Sequence, residues 1–244
     1  MLPLKKDTKL VRSLQQKKFR QETGLFIVEG RKMVSEALTS GFAIHSVYTT
    51  DDDFLSENEH VMRIVPHEMD QISALTSPSG YLAVLHQKTV AAESALNGDV
   101  VVLDGIADPG NMGTILRTAE WFGITDILCT KDTVELYNPK VVQATMGSIY
   151  RVNVRYAAEE EISTRLKSDG FTLLGAVLGG SSLYDLQLPK RAAIVIGSES
   201  HGIKPAMKSH LDTTIEIPGS GGAESLNASV AAGIFMAEVF RGRR

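Results

Sequence analysis

Three stretches of the sequence set glycines and polar residues where an apolar run gives way to a loop and then to a helical pattern. In LDGIADPGNMGTILRTAEWFG, Gly105, Gly110 and Gly113 permit tight turns and close ligand approach, and Asn111 is placed to cap the helix that follows. Arg117 lies on that helix, where its guanidinium suits a phosphate; the alternative is a surface pair with Glu120 or Glu135. In AIVIGSESHGI an apolar strand runs into Gly197, Glu199 and Gly202. The Glu199 carboxylate can accept a hydroxyl proton or orient a neighbour, and can equally favour a helix start. His201 has no partner visible in the sequence and is read as a loop residue. In IEIPGSGGAESLNASVAAGIF, Ser225, Asn227 and Ser229 open a helix rich in Ala and Gly. They serve as ordinary caps or, with free backbone N–H groups, hold a hydroxyl and a phosphate.

These stretches need a scaffold, and the hydrophobic pattern supplies one. From Val100 onward, VVVLD, TDILCT, FTLLGAVL, AIVIG and TTIEI are near-continuous apolar runs, as in parallel strands covered on both faces. Helical segments NMGTILRTAEWFG, NPKVVQATMGSIY, EEEISTRLKSDG and SLNASVAAGIFMAEVFR lie between or after them. Asn138-Pro139 marks a helix start, and Gly123 and Gly170 mark helix stops. The alternation predicts an α/β fold with a doubly wound sheet and ligands at the carboxyl ends of its strands. Upstream, the first ~30 residues read as a basic amphipathic helix with Leu10, Val11 and Leu14 on one side. Strand GLFIVEG, helix RKMVSEALTSG ending at Gly41, strand AIHSVYTT, an acidic loop over Asp51 to His60, strand HVMRIV, helix PHEMDQISAL and strand SGYLAVLHQ complete a small α/β domain. The small, polar stretch KTVAAESALNGD is the linker, so residues 1–92 and 98–244 are expected to be separate domains.

Composition excludes several classes. With 244 residues, 43% hydrophobic and 22% charged, the chain has the apolar surface for a sizeable core. Its longest greasy run, Val230 to Ala237, falls far short of the ~18 residues of a membrane span, and MLPLKKDTKL lacks the apolar centre of a secretory signal. One cysteine, Cys129, and six histidines without HExxH spacing argue against disulfides and zinc. A cytoplasmic protein with no metal and no membrane partner is the expectation. The net charge of -4 conceals an asymmetry: residues 1–32 carry +6 and the remainder -10, a basic arm suited to a polyanion or a solvated helix face. A nucleotide-dependent oxidoreductase would need G-x-G-x-x-G after the first strand with an acidic residue about 20 positions on; Asp126 and Asp132 come near, but the fingerprint is missing.

Taken together and in this order, the three stretches resemble the motifs of the SpoU/TrmH family of RNA ribose methyltransferases, within the SPOUT superfamily. The matches are Asn111, Gly113 and Arg117; Gly197, Glu199 and Gly202; and Ile217, Pro218, Ser225, Leu226, Asn227 and Ser229. KKFRQETGLFIVEGRKMVSEAL is similar to the start of the substrate-binding domain that many members carry, so the resemblance spans essentially the whole chain. Gly219 stands where the family usually has Met, and Ser200 where it usually has Gly. The resemblance implies a C-terminal trefoil-knot domain, a homodimer with its active sites at the subunit interface, and S-adenosylmethionine against Leu178, Gly179, Gly197, Ile217 and Leu226. It implies catalytic roles for Arg117, Asn227, Ser225 and Glu199, and RNA contacts for Asn111, Lys17, Lys18, Arg20 and Arg31. The implied reaction is methylation of a ribose 2′-hydroxyl, in ribosomal RNA ahead of transfer RNA. A non-catalytic RNA-binding module of the same fold should have lost some of Arg117, Glu199, Ser225 and Asn227, and all four are present.

Overall fold

In the computed structural model, which describes residues 5–54 and 60–244, the basic N-terminal stretch is two helices rather than one: α1 (Lys5–Ser13) and α2 (Lys17–Thr23). The break falls at Leu14. Its side chain is buried, and its carbonyl accepts a hydrogen bond from Arg20 Nη1 at 2.7 Å. Gly24, at φ 65°, closes α2 by donating its N–H to the Arg20 carbonyl. The chain continues through β1 (Leu25–Glu29), α3 (Arg31–Ala37), β2 (Ile44–Thr49), β3 (Val61–Arg63), α4 (Pro66–Ile72) and β4 (Tyr81–His86). Residues 55–59 of the expected acidic loop lie outside the described residues; at its start, Asp51 accepts a hydrogen bond from the Tyr81 hydroxyl at 2.6 Å.

After these come β5 (Val100–Asp104), α5 (Pro109–Trp121), β6 (Asp126–Thr130), α6 (Pro139–Thr145), β7 (Asn153–Ala157), α7 (Glu159–Ser168), β8 (Thr172–Ser182), β9 (Ala192–Gly197), α8 (Pro205–Lys208), β10 (Thr213–Glu216) and α9 (Ala228–Gly242). The chain forms two units, Met1–Thr89 with Glu135–Tyr150, and Val90–Val134 with Arg151–Arg244.

The first unit holds a four-stranded sheet of order β1-β4-β2-β3, antiparallel except for the β2–β3 pair. Val11, Leu14, Ile27, Tyr48, Met69 and Leu82 form its core. Segment Glu135–Tyr150, which the linear pattern groups with the C-terminal half, packs here. The Tyr137 ring lies 4.4 Å from that of Phe26, and the Tyr150 hydroxyl donates to the Met33 carbonyl at 2.9 Å. Glu135 belongs to this packing and corrects one expectation. Arg20, expected to face RNA, is only 2% exposed, and its Nε donates to Glu135 Oε1 at 2.5 Å. Replacing Arg20 by Met leaves Glu135 without its counter-charge and the Leu14 carbonyl without its donor, at an expected cost of about 3 kcal/mol. Urea unfolding of Arg20→Met beside the exposed-site control Lys17→Ala tests this; equal midpoints would show that the buried pair contributes nothing.

The second unit is built on a six-stranded, all-parallel sheet of order β10-β8-β9-β5-β6-β7. This is the α/β arrangement that the apolar runs predict. Strand β9 inserts between β8 and β5, so strand order reverses there and a crevice opens at the carboxyl ends. Val100, Val102, Leu173 and Val195 from the sheet pack with Ile162 and Leu166 of α7. Helices α5 and α9 pack on each other, with the Phe122 and Phe240 rings 5.4 Å apart at their ends. Strand β7, absent from the apolar-run reading, lies at the sheet edge. Its sequence NVRYA needs no continuous apolar run there, and Arg155 Nη1 reaches the buried Asp126 carboxylate at 2.8 Å.

Candidate functional site

Helix α5 begins at Asp108-Pro109, and the Asp108 carboxylate caps it by accepting the Asn111 backbone N–H at 2.8 Å. Asn111, expected to be the cap, is thereby free to use its side chain elsewhere. At α9, Asn227 is the cap: its Oδ1 accepts from Ser229 N at 2.9 Å, Ser229 Oγ at 2.6 Å and Val230 N at 3.3 Å. Backbone N–H groups only donate, so this cap turns the Asn227 amide nitrogen outward. That nitrogen donates to Asn111 Oδ1 at 3.0 Å. With its oxygen so occupied, Asn111 donates from Nδ2 to Glu199 Oε1. One residue from each of the three sequence stretches therefore joins a directed chain of hydrogen bonds, from a helix cap to an accepting carboxylate. Sequence separations of 88 and 116 residues close in this way.

Beside this chain, at the carboxyl ends of β8, β9 and β10, lies a cavity of about 950 Å³. Leu178, Ile196, Gly197, Ile217, Leu226 and Phe235 are among its walls, which makes much of it apolar. Glu199 and Ser225 also line it. Four of the five expected cofactor residues are on this wall. Gly179 is not; its N–H donates to Oε2 of the wall residue Glu216 at 2.7 Å. A Cβ on Gly197 would collide with the backbone of Gly202 and Ile203, so the loop after β9 folds back onto its own strand at a distance only glycine allows.

Ser225 stands on the cavity wall without joining the amide chain. Arg117 is exposed on α5, on the same stripe as Gly110, Thr114 and Trp121, and is outside the chain as well. Both carboxylates that could have neutralised it are engaged: Glu120 with Arg151 at 3.0 Å, and Glu135 with Arg20. In the first unit Lys17, Lys18 and Arg31 are exposed. Lys18 Nζ lies 3.9 Å from Glu22, and the Arg31 guanidinium sits 5.8 Å from the centre of the Tyr81 ring.

Motif spacing misses one charged group. Asp104 at the end of β5, Asp132 after β6 and Glu159 at the start of α7 bring carboxylate oxygens within 4.8 Å of one another. The Lys204 ammonium lies among them, 3.2 Å from Asp104, 2.9 Å from Asp132 and 2.5 Å from Glu159. Burial alone would lower the Lys204 pKa, but its three carboxylate partners raise it well above the ordinary lysine range. Glu159 is lowered by its hydrogen bond from Lys204, and Asp132 is lowered because Lys204 and Thr130 outweigh its desolvation.

Residues 99–237 match the SpoU rRNA Methylase family. The chain belongs to that family. Residues 5–83 match the MRM3-like substrate binding domain. Among relatives of this SpoU chain is the 23S rRNA (guanosine(2553)-2'-O)-methyltransferase RlmP of Bacillus subtilis (strain 168), 29% identical over 92% of each chain. A TrmH-family structure from Porphyromonas gingivalis superposes with a TM-score of 0.90 at 33% identity, covering 99% of both chains. An AdoMet-bound rRNA methyltransferase from Sinorhizobium meliloti gives 0.89 at 26% identity, covering 99% of this chain and 97% of the other. Family and fold agree with the expectation drawn from the three motifs. Among the described residues, no helix is long and apolar enough to cross a membrane.

Proposed function

We propose that this chain transfers a methyl group from S-adenosylmethionine to a ribose 2′-hydroxyl of ribosomal RNA, as a cytoplasmic, metal-independent homodimer. The observation that carries the reading is the convergence of Asn111, Glu199 and Asn227 at the rim of the cavity among the parallel strand ends. The cavity fits the cofactor: Leu178, Ile196, Ile217 and Leu226 suit an adenosine, and the carboxylates of Glu199, Glu216 and Glu224 suit a cationic sulfonium. When bound, S-adenosylmethionine supplies a methyl group already activated by its sulfonium. The protein's share is to orient a hydroxyl against it and to help that hydroxyl lose its proton. Glu199, held by Asn111, presents a carboxylate of fixed direction, and Asn227 fixes Asn111 in turn. Ser225 offers a hydroxyl to the ribose from the same wall. Arg117 holds an RNA phosphate and favours negative charge on the neighbouring oxygen; a guanidinium with a pKa above ~12 is itself a poor base.

An active site completed between two subunits is supported by what α5 leaves uncovered. Arg117 is exposed with Glu120 and Glu135 engaged by other arginines, and Trp121 on the same stripe is 81% exposed. Val230 of the adjoining helix α9 is also exposed. Pairing with a second copy buries Trp121 and Val230 and leaves Arg117 at the edge of the shared site, open to RNA. The parallel-sheet half, residues 98–244, is read as the methyltransferase domain, with the knotted end that the resemblance to the family implies. Residues 1–92 are read as the RNA-binding domain, with Lys17, Lys18 and Arg31 as phosphate contacts. Replacing Lys17 and Lys18 by Ala is expected to weaken RNA binding and to shallow its salt dependence by about one slope unit per contact. Cofactor affinity is expected to hold. Titrations over a range of salt decide it, and an unchanged slope removes these lysines from the interface. The reading as a whole is tested by mapping 2′-O-methyl groups across ribosomal RNA from cells with and without the gene; one lost position supports it, and an identical map overturns it.

A further inference from the structure

Lys204 ends the loop that leaves β9. Residues Ser198 and Gly202 of that loop pair with each other through Ser198 N to Gly202 O at 3.1 Å and Gly202 N to Ser198 O at 2.8 Å, which places Glu199 in the turn between them. The far end of the pairing is held as well. Ile203 is buried just beyond it, and the Lys204 backbone N–H donates to Asp104 Oδ2 at 2.7 Å. The same residue's ammonium then reaches Asp104, Asp132 and Glu159.

Asp104 is fully buried, and its Oδ1 has no hydrogen bond, only the ammonium 3.2 Å away. A buried carboxylate without a cation is strongly disfavoured, so the ammonium is held where it lies. Three carboxylates at such spacing would suit a divalent cation. A lysine supplies the positive charge from within the chain, and unlike an ion it is covalently tied to the loop it stabilises.

We propose that Lys204 is a positioning residue: anchored by Asp104, Asp132 and Glu159 at the ends of three other elements, it holds the loop that carries Glu199 and forms one wall of the cavity. The proposal rests on the reading of that cavity as the cofactor site. Its test pairs hydrogen exchange at the Ser198 and Gly202 amides with calorimetric binding of S-adenosylmethionine, in the full chain and its Lys204→Met, Lys204→Arg and Asp132→Asn variants. Lys204→Met is expected to speed exchange at both amides by about 10-fold while amides of β5 and β9 stay protected, and to weaken cofactor binding by a similar factor. Lys204→Arg, which keeps the charge, is expected to restore both. Asp132→Asn, which leaves the Asp104 pair intact, moves both in the direction of Lys204→Met by less, and it carries the test if Lys204→Met does not fold. Exchange unchanged in every variant overturns the proposal, as does faster exchange with cofactor affinity untouched. If the wild-type protein binds no S-adenosylmethionine while its loop still responds to Lys204, the cofactor reading fails and the clamp stands.

Discussion

Asn227→Ala is expected to lower methyl transfer to RNA by roughly 10²-fold or more while the protein stays folded. The side chain holds two roles at once. Its Oδ1 caps α9 through Ser229 and Val230, and its Nδ2 fixes Asn111. Loss of the cap alone costs about 1 kcal/mol. Loss of the amide nitrogen lets Asn111 rotate and release the Glu199 carboxylate, and a misplaced catalytic group is penalised far more in rate than in stability. Asn227→Asp separates the two roles: it keeps a capping oxygen but turns the donor toward Asn111 into an acceptor, so the melting temperature should recover and activity should not. Arg117→Ala, at an exposed position, is expected to melt normally and to lose activity through the phosphate. Tritiated methyl incorporation beside thermal melts tests these variants. Activity that merely follows melting temperature would return Asn227 to a structural role. A double variant Asn227→Ala/Arg117→Ala no worse than the worse single one would show that both act on one step.

Gly197→Ala is expected to abolish measurable cofactor binding, a loss of at least about 10²-fold. The added methyl has no room: the Gly202 carbonyl and the Ile203 nitrogen, both backbone, occupy its place. Side chains can rotate away from a new methyl, but these atoms move only if the whole loop moves, and that loop lines the cavity. Gly202→Ala is the informative control. Gly202 sits at φ 63° with nothing within 4 Å of a Cβ, so it costs about 1 kcal/mol of backbone strain without a collision. Calorimetry of the two variants should therefore differ sharply. Similar cofactor affinities for Gly197→Ala and wild type would show that the loop is not held against its strand.

The residues legible in the sequence were those whose role is local or whose motif is linear. Asn138-Pro139 does start a helix, and Gly123 and Gly170 do follow helix ends with positive φ, whereas the cap of α5 is Asp108 and not the expected Asn111. Asn111, Glu199 and Asn227 could be singled out because each stands at a strand-to-helix junction, although their mutual hydrogen bonds could not. What stayed hidden depended on partners far along the chain. Arg20 is one basic residue in a basic run, and only Glu135, 115 positions away, turns it inward. Lys204 follows the second motif without any local mark; Asp104, Asp132 and Glu159, contributed from three separate elements, give it a role. The helix break at Leu14 has the same origin, since the carbonyl it releases is met by the buried Arg20. Strand β7 escaped because its sequence, NVRYA, lacks the apolar run that marks its neighbours.

The central claim is the chemistry of the product. Incubating the protein with S-adenosylmethionine carrying a labelled methyl group and with unmodified ribosomal RNA, then digesting to nucleosides and separating them by mass spectrometry, reads it directly. The account predicts label in one 2′-O-methylnucleoside, abolished by Asn227→Ala and by Arg117→Ala. Label on a base, or cofactor binding with no label in RNA at all, would contradict it.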